Sequence, residues 1–369
     1  MATTAEIVAR EARALRFVLA GCAPIEPLPR RAFLERWIAD GRAGEMRYLT
    51  RRTAQRLDPR TDHAWARSLI VVAWPYAPPP PPSHDWRATL RGRIAAYALG
   101  TDYHDHVLAS LERLAARLAE HFPGSRYLSY VDTGPILERE WGVRAGLGWM
   151  GRHTLLLNRG RGSYFVLGEL LTDLEVEVTA PAADHCGTCT RCIDVCPTGA
   201  LAGDYTMDPR RCISYLTIEH CSAIPPALRP GLGNWIFGCD LCQEVCPWND
   251  ERRPAASDDR LAPHLPSLLA LDEAGFAARF RGTAILRTRR RGLLRNACVA
   301  LGNSGSPDGV PALAGALGDP EPLVRQHAAW ALGRLGGRAA RTALDAARRR
   351  ESLADVRREI DDALAARRA

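Results

Sequence analysis

The chain contains no run of about 20 apolar residues, the length a helix needs to cross a bilayer, so no membrane role is expected. Its first stretch, MATTAEIVAREARALRFVLAG, lacks the uninterrupted apolar segment of an export signal, because charged residues break it up at helical spacing. It reads as an amphipathic helix of a cytoplasmic protein. No Gly-x-Gly-x-x-Gly turn follows a strand, which removes support for a nicotinamide or flavin site of the Rossmann kind. Low-complexity sequence does not dominate either. With 369 residues, 46% of them hydrophobic and 25% charged, the chain is expected to fold around two or three cores.

What is present is arginine and cysteine. A net charge of +7 permits an anionic partner. Eleven cysteines in a chain expected in a reducing compartment point to metal or redox chemistry and away from disulfides.

Composition divides the chain into three expected domains, 1–180, 181–252 and 253–369. In the first, the segments 68–76, 126–131 and 163–170 read as buried strands, and 31–51, 103–121 and 135–146 as helices, which gives an α/β or α+β layer architecture. The proline-rich segment at 77–83 is expected to be an extended surface loop. The second segment holds nine of the eleven cysteines. In the third, Leu301-Gly302 is echoed by Leu332-Gly333 at a spacing of 31, the mark of a short HEAT-like helical array.

Cys186, Cys189, Cys192 and Cys196-Pro197 have the C-x2-C-x2-C-x3-C-P spacing of bacterial ferredoxins, in which the fourth thiolate serves a different cluster from the first three. Cys239, Cys242 and Cys246-Pro247 supply a second half. Crossing then puts Cys246 with Cys186, Cys189 and Cys192 on one 4Fe-4S cluster. Cys196 joins Cys239 and Cys242 on another, with Cys212 or Cys221 as the missing ligand. Structural zinc is the competing reading of paired C-x2-C elements, but it seldom uses this spacing.

Two such clusters move electrons singly, so an acceptor is expected in the first 180 residues. Asp132 falls at the end of a strand, Thr133 is placed to cap the following helix, and Pro135 suits a first helical turn. A carboxyl there, kept protonated by desolvation, would serve as a proton donor.

The strings YVDTGPILER, AGLGWMGRHTLLLN, GSYFVLGEL, CGTCTRCIDVCPTGAL, RRCISYLTIEH and GCDLCQEVCPWN, in that order and followed by the HEAT-like tail, resemble the epoxyqueuosine reductases, cobalamin-dependent iron–sulfur enzymes that complete queuosine on transfer RNA. The resemblance covers nearly the whole chain. It implies an α+β fold: a cobalamin-binding α/β sandwich domain, a ferredoxin-like double-cluster module and C-terminal helical HEAT-like repeats. It also implies that Asp132 is the proton donor, with Tyr103 next in line, and that Cys212 completes the second cluster, leaving Cys221 spare. Arg56, Asp102, His104, Asp132, Arg152, His153 and Asn158 are implied near the corrin, Arg152 standing where lysine is more usual. The expected partners are a transfer RNA anticodon stem-loop and an external low-potential electron donor, and nothing demands more than a monomer. The arginine run around Arg289, Arg290 and Arg291 is expected to hold RNA phosphates. The competing readings are a reductive dehalogenase-like enzyme, for which a twin-arginine leader is expected and a HEAT-like tail is not, and a plain iron–sulfur electron carrier.

Overall fold

The computed structural model describes residues 2–28, 30–77, 85–249 and 262–366. They fall into two compact units. One comprises Met1–Pro78, Thr101–Pro209 and Leu241–Arg253, the other Pro79–Gly100, Arg210–Asp240 and Pro254–Ala369. The expected middle domain is therefore not a compact unit of its own. Its residues up to Pro209 and from Leu241 belong to the first unit, and Arg210–Asp240 belong to the second. The proline-rich segment lies almost entirely outside the described residues.

The first unit is built on four antiparallel strands, β1 (Leu19–Pro24), β2 (Ser68–Pro75), β3 (Tyr127–Tyr130) and β4 (Phe165–Thr172), in the order β1-β2-β4-β3. Alternation along β2 sends Ile70 and Val72 to one face and Leu69, Val71 and Ala73 to the other. The helices α1 (Thr4–Ala14) and α2 (Tyr103–His121) cover the first face through Val8, Ala12, Val107, Leu111, Leu114 and Leu118. The short helix α3 (Glu138–Arg144) covers the second, with Trp141 fully buried. The amino-terminal helix is shorter than its amphipathic pattern suggested: the chain leaves it at Ala14 and forms β1, an Ala- and Gly-containing strand with little β-propensity that is held by its pairing to β2. The helix expected over 31–51 breaks into Arg31–Ala39 and Arg47–Thr50, with Gly41 and Gly44 at φ of 65° and 55° in the gap.

The second unit is mainly helical. It contains α4 (Ile213–Ile218), the short strand β5 (Trp235–Phe237) paired in parallel with Arg93–Ile94, and the helices α5 (Arg289–Ser304), α6 (Pro322–Leu335) and α7 (Ala354–Ala365). Repetition of Leu-Gly has a packing cause. A Cβ on Gly302 would meet Ala331 Cα at 2.8 Å, and one on Gly333 would meet Ala363 Cβ at 2.8 Å, so each glycine is the point where one helix of the array lets the next approach.

Buried arginines tie this unit together. Arg295, fully buried on α5, donates to the carbonyls of Leu216 at 2.6 Å, Ser222 at 2.9 Å and His220. Beside it, the Asn296 amide bridges the carbonyls of Thr217 and Ile236, both at 2.8 Å, joining α4 to β5. Arg229 makes a bidentate pair with Glu359 on α7 at 2.6 and 3.1 Å.

Gly333→Val should lower stability by about 1–3 kcal/mol through overpacking. Exposed Gly315, with nothing within 4 Å of its added Cβ, should tolerate Ala or gain up to about 1 kcal/mol. Thermal melting of the two variants checks this, and equal melting temperatures would remove the close-approach explanation.

Candidate functional site

Cys186, Cys189 and Cys192 come from one loop and the helical turn that follows it, Arg191–Asp194, while Cys246 follows the matching turn Leu241–Glu244. All four line one cavity of about 190 Å³ with Arg152, His153, Leu157, His185, Pro247 and Trp248. Asn249 anchors the second loop: its Oδ1 accepts the Ser163 N–H at 2.8 Å, and its amide donates to Gln243 O at 2.8 Å. Trp149, Trp248 and His185 form an aromatic wall, with Trp149 edge-on to the other two rings at 5.2 and 5.0 Å.

Burial, together with the neighbouring thiols, pushes Cys246 up to about 11. Four sulfurs stored in such a place become ligands only when a metal takes the proton's place. Sulfurs that surround a cavity suit a multi-iron cluster better than one tetrahedral zinc. Cys196 also belongs to this unit and accepts the Ala200 N–H at 3.4 Å; Cys212 and Cys239 belong to the other unit.

A second group gathers beyond the end of β3. Asp102 caps α2 by accepting the His104 N–H at 3.1 Å and also faces His104 Nδ1 at 2.7 Å. The other ring nitrogen, Nε2, lies 3.3 Å from Asp132 Oδ2, and Tyr103 stacks on the imidazole with centroids 4.1 Å apart. The hydrogen bond to Asp132, helped by Asp102 and opposed by partial burial, raises His104 to about 9. At neutral pH the imidazole is therefore charged. The Asp132 side chain is 60% exposed and lies beside this cation.

Asp132 itself has φ of 55°, and the Thr133 N–H donates back to Val131 O, closing a three-residue turn around it. The Asp132 N–H donates to Glu138 Oε1 at 2.7 Å. Thr133 does not cap the following helix. α3 begins at Glu138, after Leu137, so Pro135 precedes the helix by a turn's width and does not occupy its first turn.

Of the other expected corrin residues, Arg56 is buried and donates to the carbonyls of Tyr48 at 3.2 Å and Gly134 at 3.4 Å, with its Nε unpartnered. Arg152 and His153 line the cysteine cavity. Arg152 donates to Gly187 O at 2.9 Å. His153 accepts the Leu155 N–H at Nδ1, and burial, with Arg139 nearby, depresses it to about 4, which leaves a neutral ring with its proton on Nε2. Asn158 braces a hairpin by donating to Leu147 O at 2.6 Å. The structure thus brings Asp102, Tyr103, His104 and Asp132 together, sets Arg56 behind their loop, and gives Arg152 and His153 to the cysteines.

The arginine run is not a free basic face. Arg290, 5% exposed, is paired with Asp319 at 3.1 Å through Nη1, and Arg291 donates to Cys221 O at 2.6 Å. Arg289 alone of the three is exposed. Sequence reasoning also passed over Glu138 and Glu169. The second stands in an apolar strand, and that interruption was the signal available.

Three regions match family models: epoxyqueuosine reductase QueG over 56–133, the 4Fe-4S double cluster binding domain over 185–249, and HEAT repeats over 283–365. The chain is 42% identical over 337 residues to the epoxyqueuosine reductase of Xanthomonas campestris, covering 88% of this chain and 94% of the relative. It is 39% identical over 309 residues to that of Escherichia coli, covering 81% of each. A crystal structure of epoxyqueuosine reductase with an epoxyqueuosine-modified tRNA-Tyr stem loop superposes with a TM-score of 0.88 at 28% identity, covering 97% of both chains. The Bacillus subtilis enzyme with its catalytic aspartate loop swung out of the active site gives 0.87, again over 97% of both chains. With its cysteine cavity, its aspartate–histidine pair and its helical array matched over most of its length, this chain belongs to the epoxyqueuosine reductase family.

Proposed function

We propose that the chain reduces epoxyqueuosine to queuosine in transfer RNA, using cobalamin and two 4Fe-4S clusters supplied by an external low-potential donor. The observation that carries this reading is the Asp132–His104 proton pair, in the same unit as the four-cysteine cavity. Turning an epoxide into an alkene removes one oxygen as water and consumes two electrons and two protons. Clusters meet the first demand, and the pair supplies one of the two protons, solvent the other.

The residues present fit the cofactors. Cys186, Cys189, Cys192 and Cys246 would hold one cluster, and Cys196, Cys212, Cys239 and Cys242 the other, the second set resting on spacing and family resemblance. Asp102, Tyr103, His104 and Asp132 form an open polar rim backed by the unpartnered Nε of Arg56, and these would meet the corrin. Cobalamin, when bound, supplies a low-valent metal able to pass electrons one at a time to carbon. The protein's own part is the proton: His104 stores it, Asp132 fixes the ring, and the pair faces the leaving oxygen as charge develops there. Since His104 is raised to about 9, the stored proton is present through neutral pH and is lost as pH rises past that value. RNA phosphates would meet Arg289 and its exposed neighbours Arg279 and Arg281, while Arg290 stays in its ion pair.

Anaerobic reconstitution should give about eight iron atoms per chain, four for each cubane, and Cys221→Ala should leave that count unchanged. Zinc in place of iron would end the cluster assignment. Asp132→Asn should slow single-turnover reduction by about 10²–10⁴-fold, the usual contribution of general acid catalysis, with RNA binding retained. An unchanged rate would remove Asp132 from the proton pair, with His104 and Tyr103 the next residues to test.

A further inference from the structure

On β4, Phe165, Leu167 and Leu171 face the apolar layer under α3. Alternation places Glu169 on that same face, between two leucines, and it is fully buried. Its cross-strand neighbours are Val71 on β2 and Tyr130 on β3, neither of which supplies a donor: the Tyr130 hydroxyl is engaged with His63 Nε2 at 2.9 Å. Neither oxygen of Glu169 has a hydrogen-bond donor in reach. A bare carboxylate in such a place is strongly disfavoured.

The group beside it is another acid. Glu138, at the first position of α3, has its carboxyl beside that of Glu169. Two carboxyls with no other donor between them bond only by sharing a proton. Burial raises both, Glu138 to about 7 with repulsion from Asp132 added, and Glu169 well above its ordinary value with repulsion from Glu138 added. The charged groups facing the pair are Asp132 from the loop, Arg139 from α3 and Arg56 behind the loop; on the far side of Asp132 stands His104.

The outer oxygen of this pair does one further thing. Glu138 Oε1 accepts the backbone N–H of Asp132 at 2.7 Å, at a residue held with φ of 55° inside a three-residue turn. A positive φ at a non-glycine residue in such a turn is strained and persists only where the surroundings hold it.

We propose that Glu138 and Glu169 share one proton and act together as the latch that positions the Asp132 loop. Glu138 is the positioning residue, and Glu169 keeps its carboxyl in place. The latch rests on the reading of the Asp132–His104 pair as the proton donor, but its existence is measurable without that reading. If the pair loses its shared proton, two adjacent carboxylates repel, Glu138 turns away from Glu169 and the Asp132 N–H loses its acceptor. The same loop would then be free to leave the site.

The test uses the reconstituted full-length protein and two variants, Glu169→Gln and Glu138→Ala. The proposal expects a buried protonated carboxyl C=O stretch in the infrared difference spectrum, shifted by deuteration and missing from Glu169→Gln. Amide exchange at Asp132 should be slow in wild type and in Glu169→Gln, whose amide can donate permanently to Glu138. In Glu138→Ala it should be about tenfold faster, the worth of one hydrogen bond to a charged group. There kcat should fall while KM for the RNA holds. An infrared spectrum of Glu169→Gln identical to wild type would overturn the shared proton, and unchanged Asp132 exchange in Glu138→Ala would overturn the latch. Fast exchange in Glu138→Ala with full activity in Asp132→Asn would leave the latch standing and remove the assigned role of Asp132.

Discussion

An aspartate with left-handed backbone geometry at the end of a strand does not hold itself there. Four elements restrain it in this chain. Glu138 from α3 takes the Asp132 N–H, and His104 from α2 engages its side chain. Arg56, from the helical turn Thr53–Leu57, holds the Gly134 carbonyl, and a Cβ at position 134 would meet the Tyr130 ring at 2.4 Å. Each restraint comes from a different part of the sequence, so the loop's shape depends on the sheet and on helices from both of its faces.

The helical unit uses charge differently. Arg229, Arg290 and Arg295 are buried and bonded to carboxylates, backbone carbonyls or, at Arg295 Nε, the Asn296 amide oxygen. Arg295 and Asn296 join α4, which starts directly after Cys212, to β5, which ends two residues before Cys239. Within this unit the helical array therefore fixes the segments that carry those two cysteines, in addition to offering a surface.

The cysteine half-sites were legible in the sequence because ligand spacing is a local property, and the Leu-Gly echo was legible because close helix approach recurs with the repeat. Strands β2, β3 and β4 were also readable from their apolar runs. The break near Gly41 and Gly44 was hidden by a helical pattern that continues on both sides of it. The arginine run shows how charge can mislead: Arg290's partner, Asp319, lies far along the chain, and only folding turns a basic residue into a buried cation. Glu169 was overlooked for the opposite reason, since one acid in a strand reads as an exposed position until the sheet's second face is seen to be covered.

The most direct measurement of the central claim is an NMR titration of the His104 ring nitrogens and the Asp132 carboxyl carbon in the reconstituted enzyme. The structure predicts an imidazolium beside Asp132 at neutral pH, with the ring losing its proton near 9. A ring that titrates near its ordinary value of about 6.5 beside a protonated Asp132 carboxyl would contradict it.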